Sequence, residues 1–191
     1  AIGDVRHAEL HVLRGRPAAS AVPGDWRTDP RLSGGGILVD HGWHNLYLLR
    51  RLVQGPLEDL SVRLYRSGSG VEDEATLLFS FPESTGLIHL TWRAASRSNW
   101  ALIYGSQGAL ELRDDLLLLR PALGPEQPFS FPEKLSAGSA HPSWNAAMLE
   151  DFKAEIDGRG RGDNLAEARF ACESITKAYS AARRSPEAVA R

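Results

Sequence analysis

Along residues 36–54 the apolar positions Ile37, Val39, Leu46, Leu49 and Val53 recur at roughly helical spacing, which predicts a helix from about Gly36 to Gln54. Gly55-Pro56 ends it, because proline cannot continue the turn. Upstream, Val5, Ala8, Leu10, Val12 and Leu13 stand among Arg, His and Glu and predict a strand over residues 4–13, with His7 and His11 as ordinary strand histidines. Downstream, period-two patterns predict strands at Leu60–Arg66, Glu74–Phe81, Leu87–Arg93, Trp100–Tyr104, Ala109–Leu112 and Leu116–Arg120. In the third of these, Ile88, Leu90 and Trp92 face one side and His89, Thr91 and Arg93 the other, so one face packs on helices. The short links Gly105-Ser106-Gln107-Gly108 and Asp114-Asp115 read as hairpin turns between antiparallel neighbours.

The remaining stretches are connections and closing helices. Residues 17–30 and 121–141 are rich in breakers and read as surface loops. A helix over about Ser143–Asp157 carries Trp144, Met148, Phe152 and Ile156 at four-residue spacing. After Gly158-Arg159-Gly160-Arg161-Gly162 a second helix, capped by Asp163 and stopped by Ser185-Pro186, buries a stripe of Leu165, Ala168, Cys172, Ile175, Tyr179 and Ala182. Strand, helix, many antiparallel strands and two helices make an α+β fold. It is a large, predominantly antiparallel open β-sheet with helices packed on one face, in a single domain over 1–191. The other face is left for a homodimer contact.

Composition narrows the function. Charged residues are 24%, apolar residues 42% and the formal net charge −2, so no basic face points to nucleic acid or an anionic membrane. The single cysteine, Cys172, excludes an internal disulfide framework and reads as a small core residue. No stretch reads as a signal peptide or a membrane-spanning run, so the cytoplasm is the expected compartment. The chain opens on Ala1-Ile2-Gly3-Asp4-Val5, already a strand, and reads as the interior of a longer protein.

Chemistry concentrates around the Gly34-Gly35-Gly36 run and the helix it opens. Gly35 and Gly36 let a ligand or second chain approach the backbone. Asp40 and His44 are four apart and project from one α-helical face, a carboxylate beside an imidazole. The carboxylate favours the protonated imidazole and fixes its orientation. Arg27, in the loop before, is suited to hold a polar group bidentately. An i, i+4 Asp–His pair is also a common solvated pair, and these residues alone leave both readings open. A metal-dependent hydrolase or lyase built on Asp40, His41, His44 and His141 is a rival. On an ideal helix, though, His41 points about 100° from Asp40. A non-catalytic assembly module using the sheet face is another.

Trp26-Arg27-Thr28-Asp29-Pro30-Arg31-Leu32-Ser33-Gly34-Gly35-Gly36 followed by Asp40-x-Gly42-x-His44 resembles the signature of the glucose–fructose oxidoreductase / inositol dehydrogenase (Gfo/Idh/MocA) family, where it opens the C-terminal, substrate-side domain. Ile103-Tyr104-Gly105-Ser106-Gln107-Gly108-Ala109-Leu110 and Tyr179-Ser180-Ala181-Ala182-Arg183 resemble its mid-sheet hairpin and closing helix. The resemblance implies oxidation or reduction of a sugar, cyclitol or polyol with NAD or NADP. His44 would be the acid–base group helped by Asp40, and Arg27, Gly35, Gly36 and Tyr47 would lie on the substrate side. Tyr47 stands where members often carry Asp. The resemblance places the cofactor on an N-terminal Rossmann domain. This chain lacks such a domain, since Gly68-Ser69-Gly70 has neither a third glycine nor a following helix. The expectation is therefore a separated domain that neither binds the cofactor nor turns over alone.

Overall fold

The computed structural model describes residues 1–17, 25–68, 70–137 and 142–184. Ser69, His141 and the Ser185-Pro186 stop lie outside the described residues. The elements are β1 (Val5–Leu13), a 3-10 turn (Trp26–Thr28), α1 (Pro30–Ser33), a π-type turn (Leu38–Gly42) and α2 (Trp43–Leu52). Then follow β2 (Asp59–Tyr65), β3 (Glu74–Ser80), β4 (Thr85–Thr91), β5 (Ser98–Gly105), β6 (Gly108–Arg113), β7 (Leu116–Pro121) and β8 (Gln127–Ser130), and finally α3 (Pro142–Ile156) and α4 (Asn164–Arg184).

All the strands join one 8-stranded sheet in the order β2-β3-β4-β1-β5-β6-β7-β8. Every pairing is antiparallel except β1–β4, which is parallel. The expected run of antiparallel neighbours after α2 is therefore broken between β4 and β5. β1, the first strand, is threaded between β4 and β5, with His11 opposite both His89 and Trp100. The eighth strand is a second correction, since residues 121–141 had read as loop. β8 is exposed throughout and holds Pro128, which an edge strand tolerates because one side of it needs no amide donor.

Ala8, Leu10 and Val12 of β1, Ala75, Leu77 and Phe79 of β3, and Ile88 and Leu90 of β4 form one buried sheet face. Leu46 and Leu49 of α2 and Ala171 and Ala178 of α4 cover it. The buried stripe of α4 is Glu167, Ala171, Ser174 and Ala178, with Ile175, Tyr179 and Ala182 packed beside it. Cys172 and Leu165 are exposed, contrary to the expected stripe. Small residues win the inner face because they let α4 approach α2 closely, and Glu167 is tolerated there because Arg161 pairs with it at 3.1 Å.

α3 does not cover the sheet as expected. Its Met148, Phe152 and Ile156 are 59%, 62% and 70% exposed. The same side of β6–β8 is only half covered, and Leu112, Leu117, Phe131 and Trp144 line an open cleft of about 430 Å³ there. The opposite sheet face carries a polar and aromatic network. Glu9 bridges His7 (3.1 Å) and His11 (3.3 Å), and His11 stacks on Trp100 with centroids 3.5 Å apart. Burial pulls the His11 imidazole down, and Glu9 partly opposes that shift. No helix among the described residues is long and apolar enough to cross a membrane.

Candidate functional site

The approach to the site is built by capping. The Asp29 side chain accepts from the Arg31 amide at 2.9 Å, Pro30 takes the first helical position, and Gly34 closes α1 at φ 72°, a conformation that favours glycine. The next turn is tied down by a buried carboxylate. Glu72 is 1% exposed, and its Oε1 accepts from the Gly36 amide (2.8 Å), the Leu38 amide (3.1 Å) and the Tyr179 hydroxyl (2.6 Å). Burial and the charge of Glu72 hold the Tyr179 phenol protonated, so it remains a donor.

Gly35 and Gly36, expected as a ligand approach, are also confined by the protein itself. A Cβ on Gly36 would overlap the Glu72 carbonyl, and one on Gly35 would overlap the Tyr179 hydroxyl. Gly36 makes room for the Glu72 backbone and Gly35 for the Tyr179 hydroxyl.

Asp40 sits in the π-type turn, half-buried between Arg27 and His41. Its Oδ1 lies 3.6 Å from Arg27 Nε and its Oδ2 lies 3.5 Å from His41 Nε2. Asp25 holds Arg27 in turn, accepting from its backbone amide at 3.0 Å and its guanidinium at 3.2 Å, while the guanidinium lies over the Trp26 ring. Among the described residues the imidazole within ion-pair reach of Asp40 is His41, not His44 as the α-helical spacing predicts. The physical reason is the wider winding of residues 38–42, where i, i+4 alignment does not apply.

His41 is lowered to about 4, first by burial, then by Arg14, His44 and Arg97, against the opposing pull of Asp40. It is therefore a neutral imidazole near neutral pH. His44, on the first turn of α2, is exposed.

Tyr47 is drawn elsewhere. Its hydroxyl lies 3.4 Å from Asn164 Oδ1 and 3.4 Å from an Arg161 nitrogen, so it joins α2 to the start of α4 and does not reach Asp40. Among the described residues no three His, Cys, Asp or Glu side chains are grouped to hold a metal ion, so Asp40, His41 and His44 are not a ligand set.

The family description "GFO/IDH/MocA C-terminal domain" matches residues 1–111, more than half of the chain. The chain belongs to the GFO/IDH/MocA family. No curated protein matches it. Among solved structures, a levoglucosan dehydrogenase in complex with NADH and levoglucosan is 20% identical with a TM-score of 0.77, over 97% of this chain and 59% of that one. An oxidoreductase domain protein from Kribbella flavida is 20% identical with a TM-score of 0.74, over 96% and 58%. An aldose-aldose oxidoreductase from Caulobacter crescentus, complexed with glycerol, is 21% identical with a TM-score of 0.74, over 96% and 55%. The chain thus spans less than two thirds of each of these relatives, and the likeness establishes the GFO/IDH/MocA C-terminal fold: an open, mostly antiparallel sheet backed by helices.

Sequence reasoning passed over two residues at this site, Arg14 and Arg97, and used His41 only in the metal reading. Both arginines act on the His41 imidazole. Arg14 is 6% exposed although it directly follows a strand, and its basic neighbour at position 16 was the available signal.

Proposed function

We propose that this chain is the substrate-side domain of an NAD- or NADP-dependent oxidoreductase, acting by hydride transfer on a sugar, cyclitol or related polyol in the cytoplasm. The observation that carries the reading is the Arg27–Asp40–His41 clamp with His44 exposed one turn beyond it. Oxidising a carbinol needs a group to take the hydroxyl proton, at a pKa near the working pH. His41, at about 4, is too weak a base for that task and is held against Asp40. His44 is open to solvent and free to meet a substrate hydroxyl. We assign it the proton, with Asp40 and Arg27 binding neighbouring hydroxyls.

The residues present do not fit a dinucleotide. Phosphates are held by backbone amides at a glycine-rich turn between a strand and a helix. Here the amides after the glycine run donate to the Glu72 carboxylate, whose charge repels a phosphate. Gly68 and Gly70 lie in the link between two antiparallel strands. The cofactor therefore belongs to a second, Rossmann domain. The uncovered side of β6–β8 with the apolar stripe of α3 is the surface that fits such a domain, because exposed apolar area of this extent marks an interface. The chain alone is then inactive.

The opposite sheet face supports a homodimer. Leu78 and Tyr104 are exposed on it beside His7, His11, His89 and Trp100, and a two-fold contact covers one patch with its own copy.

The test is turnover of the full-length protein over a panel of sugars and polyols with NAD and NADP. Reduction of either cofactor by a member of the panel is expected. Hydrolysis or elimination of a panel member without cofactor would overturn the reading.

A further inference from the structure

Arg14, Gly15, Arg16 and Arg97 line one cleft of about 450 Å³ at the exit of β1. We propose that this corner receives an anionic group on the substrate, so that the sugar is an acidic one, a sugar acid or a sugar phosphate. The inference rests on the oxidoreductase reading above and specifies its substrate class.

Arg14 is 6% exposed. Its guanidinium donates to two neutral carbonyls, Leu13 O at 2.7 Å and Ser98 O at 3.0 Å. Its Nε is buried without a hydrogen-bond partner. No carboxylate lies within ion-pair distance of it among the described residues. A buried guanidinium with an unspent donor and no counter-ion is costly, and such a charge is normally paired.

Two carboxylates act on Arg14 from further off, Asp40 and Asp114, and both are engaged elsewhere. Asp114 Oδ1 accepts from the Asn99 amide at 3.2 Å, and Asp40 faces Arg27 and His41. Against them, Arg97 adds its charge to the same corner, and burial together with Arg97 holds Arg14 down to about 10. Arg14 itself is thus short of a counter-ion among the described residues.

Its place matters as much as its charge. Arg14 and Arg97 both lower the His41 imidazole, so the cleft lies within electrostatic range of the residue that pairs with Asp40. A carboxylate or phosphate spans guanidinium donors bidentately. An acidic group seated on Arg14 and Arg97 fixes one end of a sugar ring, leaving a ring hydroxyl to turn toward His44. Discrimination against the neutral sugar follows, because it brings no negative charge to offset the buried Arg14 guanidinium.

The test follows the arginine Nε–Hε signals of the 191-residue chain by NMR during titration with D-glucuronate, D-glucose 6-phosphate, D-glucose and inorganic phosphate. We expect saturable shifts at Arg14 and Arg97 with at least one acidic sugar, at lower concentration than with inorganic phosphate, and none with D-glucose. Response to glucuronate alone assigns a carboxylate, and response to the phosphate ester alone assigns a phosphate. Arg97→Gln, with an unchanged backbone amide spectrum, should weaken the response at least tenfold. Absence of shift with both acidic sugars, an equal shift with D-glucose, inorganic phosphate binding as tightly as the sugars, or unaltered affinity in Arg97→Gln overturns the proposal. Turnover does not enter this readout. A failed titration leaves an oxidoreductase of neutral sugars standing, and an inactive parent leaves the anion site standing.

Discussion

Glu72 and Gly36 touch twice: the Gly36 amide donates to the Glu72 carboxylate at 2.8 Å, and the Gly36 Cα faces the Glu72 backbone with no room for a Cβ. The turn that leads into Asp40 is positioned by this contact. Gly36→Ala should therefore destabilise the chain by about 3 kcal/mol, at the upper end for overpacking, because the obstructing atom is backbone and cannot swing away. Glu72→Ala should cost about 2–4 kcal/mol by leaving the Gly36 and Leu38 amides without an acceptor. Urea unfolding measures both. Losses within a few tenths of a kcal/mol would remove Glu72 as the organiser of the turn.

Acid should weaken the fold through His41. Its pKa is about 4 in the folded chain against 6.5 for a free histidine, so between these values the unfolded chain binds more protons. Stability then falls as pH drops from 6.5 towards 4, and is unaffected by this group above that window. His41→Asn should flatten that part of the stability–pH curve relative to the native chain. Parallel curves for the two proteins would show that His41 titrates normally.

The sheet-face dimer can be separated from folding. Light scattering at micromolar concentration should give twice the 20.9 kDa of one chain. Tyr104→Glu with Leu78→Arg changes two exposed positions of that face and should return the single-chain mass with an unchanged circular dichroism spectrum. A single-chain mass for the native protein contradicts the dimer.

Cofactor binding is a further check. Calorimetry of the chain with NAD and with NADP at millimolar concentration should show no saturable heat, since the amides that might cradle a phosphate already serve Glu72. Saturable binding would place a dinucleotide site in this domain.

The strands were legible because alternation is a local signal. Ile88, Leu90 and Trp92 are all buried on one face, as their parity predicts. The insertion of β1 between β4 and β5 was not legible, because a parallel pairing across more than seventy residues leaves no mark on either strand. β8 was hidden by Pro128 and by its exposure on both sides. On α4 the apolar spacing misled: Leu165 and Cys172 look like core, yet Ala171, Ser174 and Ala178 are the residues small enough to face α2. At the site, Asp40 and Arg27 were visible as chemistry, but the partner of Asp40 was not. A slip from α to π winding costs one hydrogen-bond register and no change of composition, so His41 could not be distinguished from His44 by counting.

The proposed roles, His44 taking the substrate proton and His41 only positioning Asp40, separate in the full-length protein. There the turnover of His44→Ala and His41→Ala is measured together with NADH affinity. His44→Ala should lower kcat by roughly 100- to 10,000-fold, the range for a general acid–base group, with NADH affinity unchanged. His41→Ala should fall less and should retain the native pH profile. Unchanged turnover in His44→Ala, or a larger loss with an altered pH profile in His41→Ala, would contradict the account.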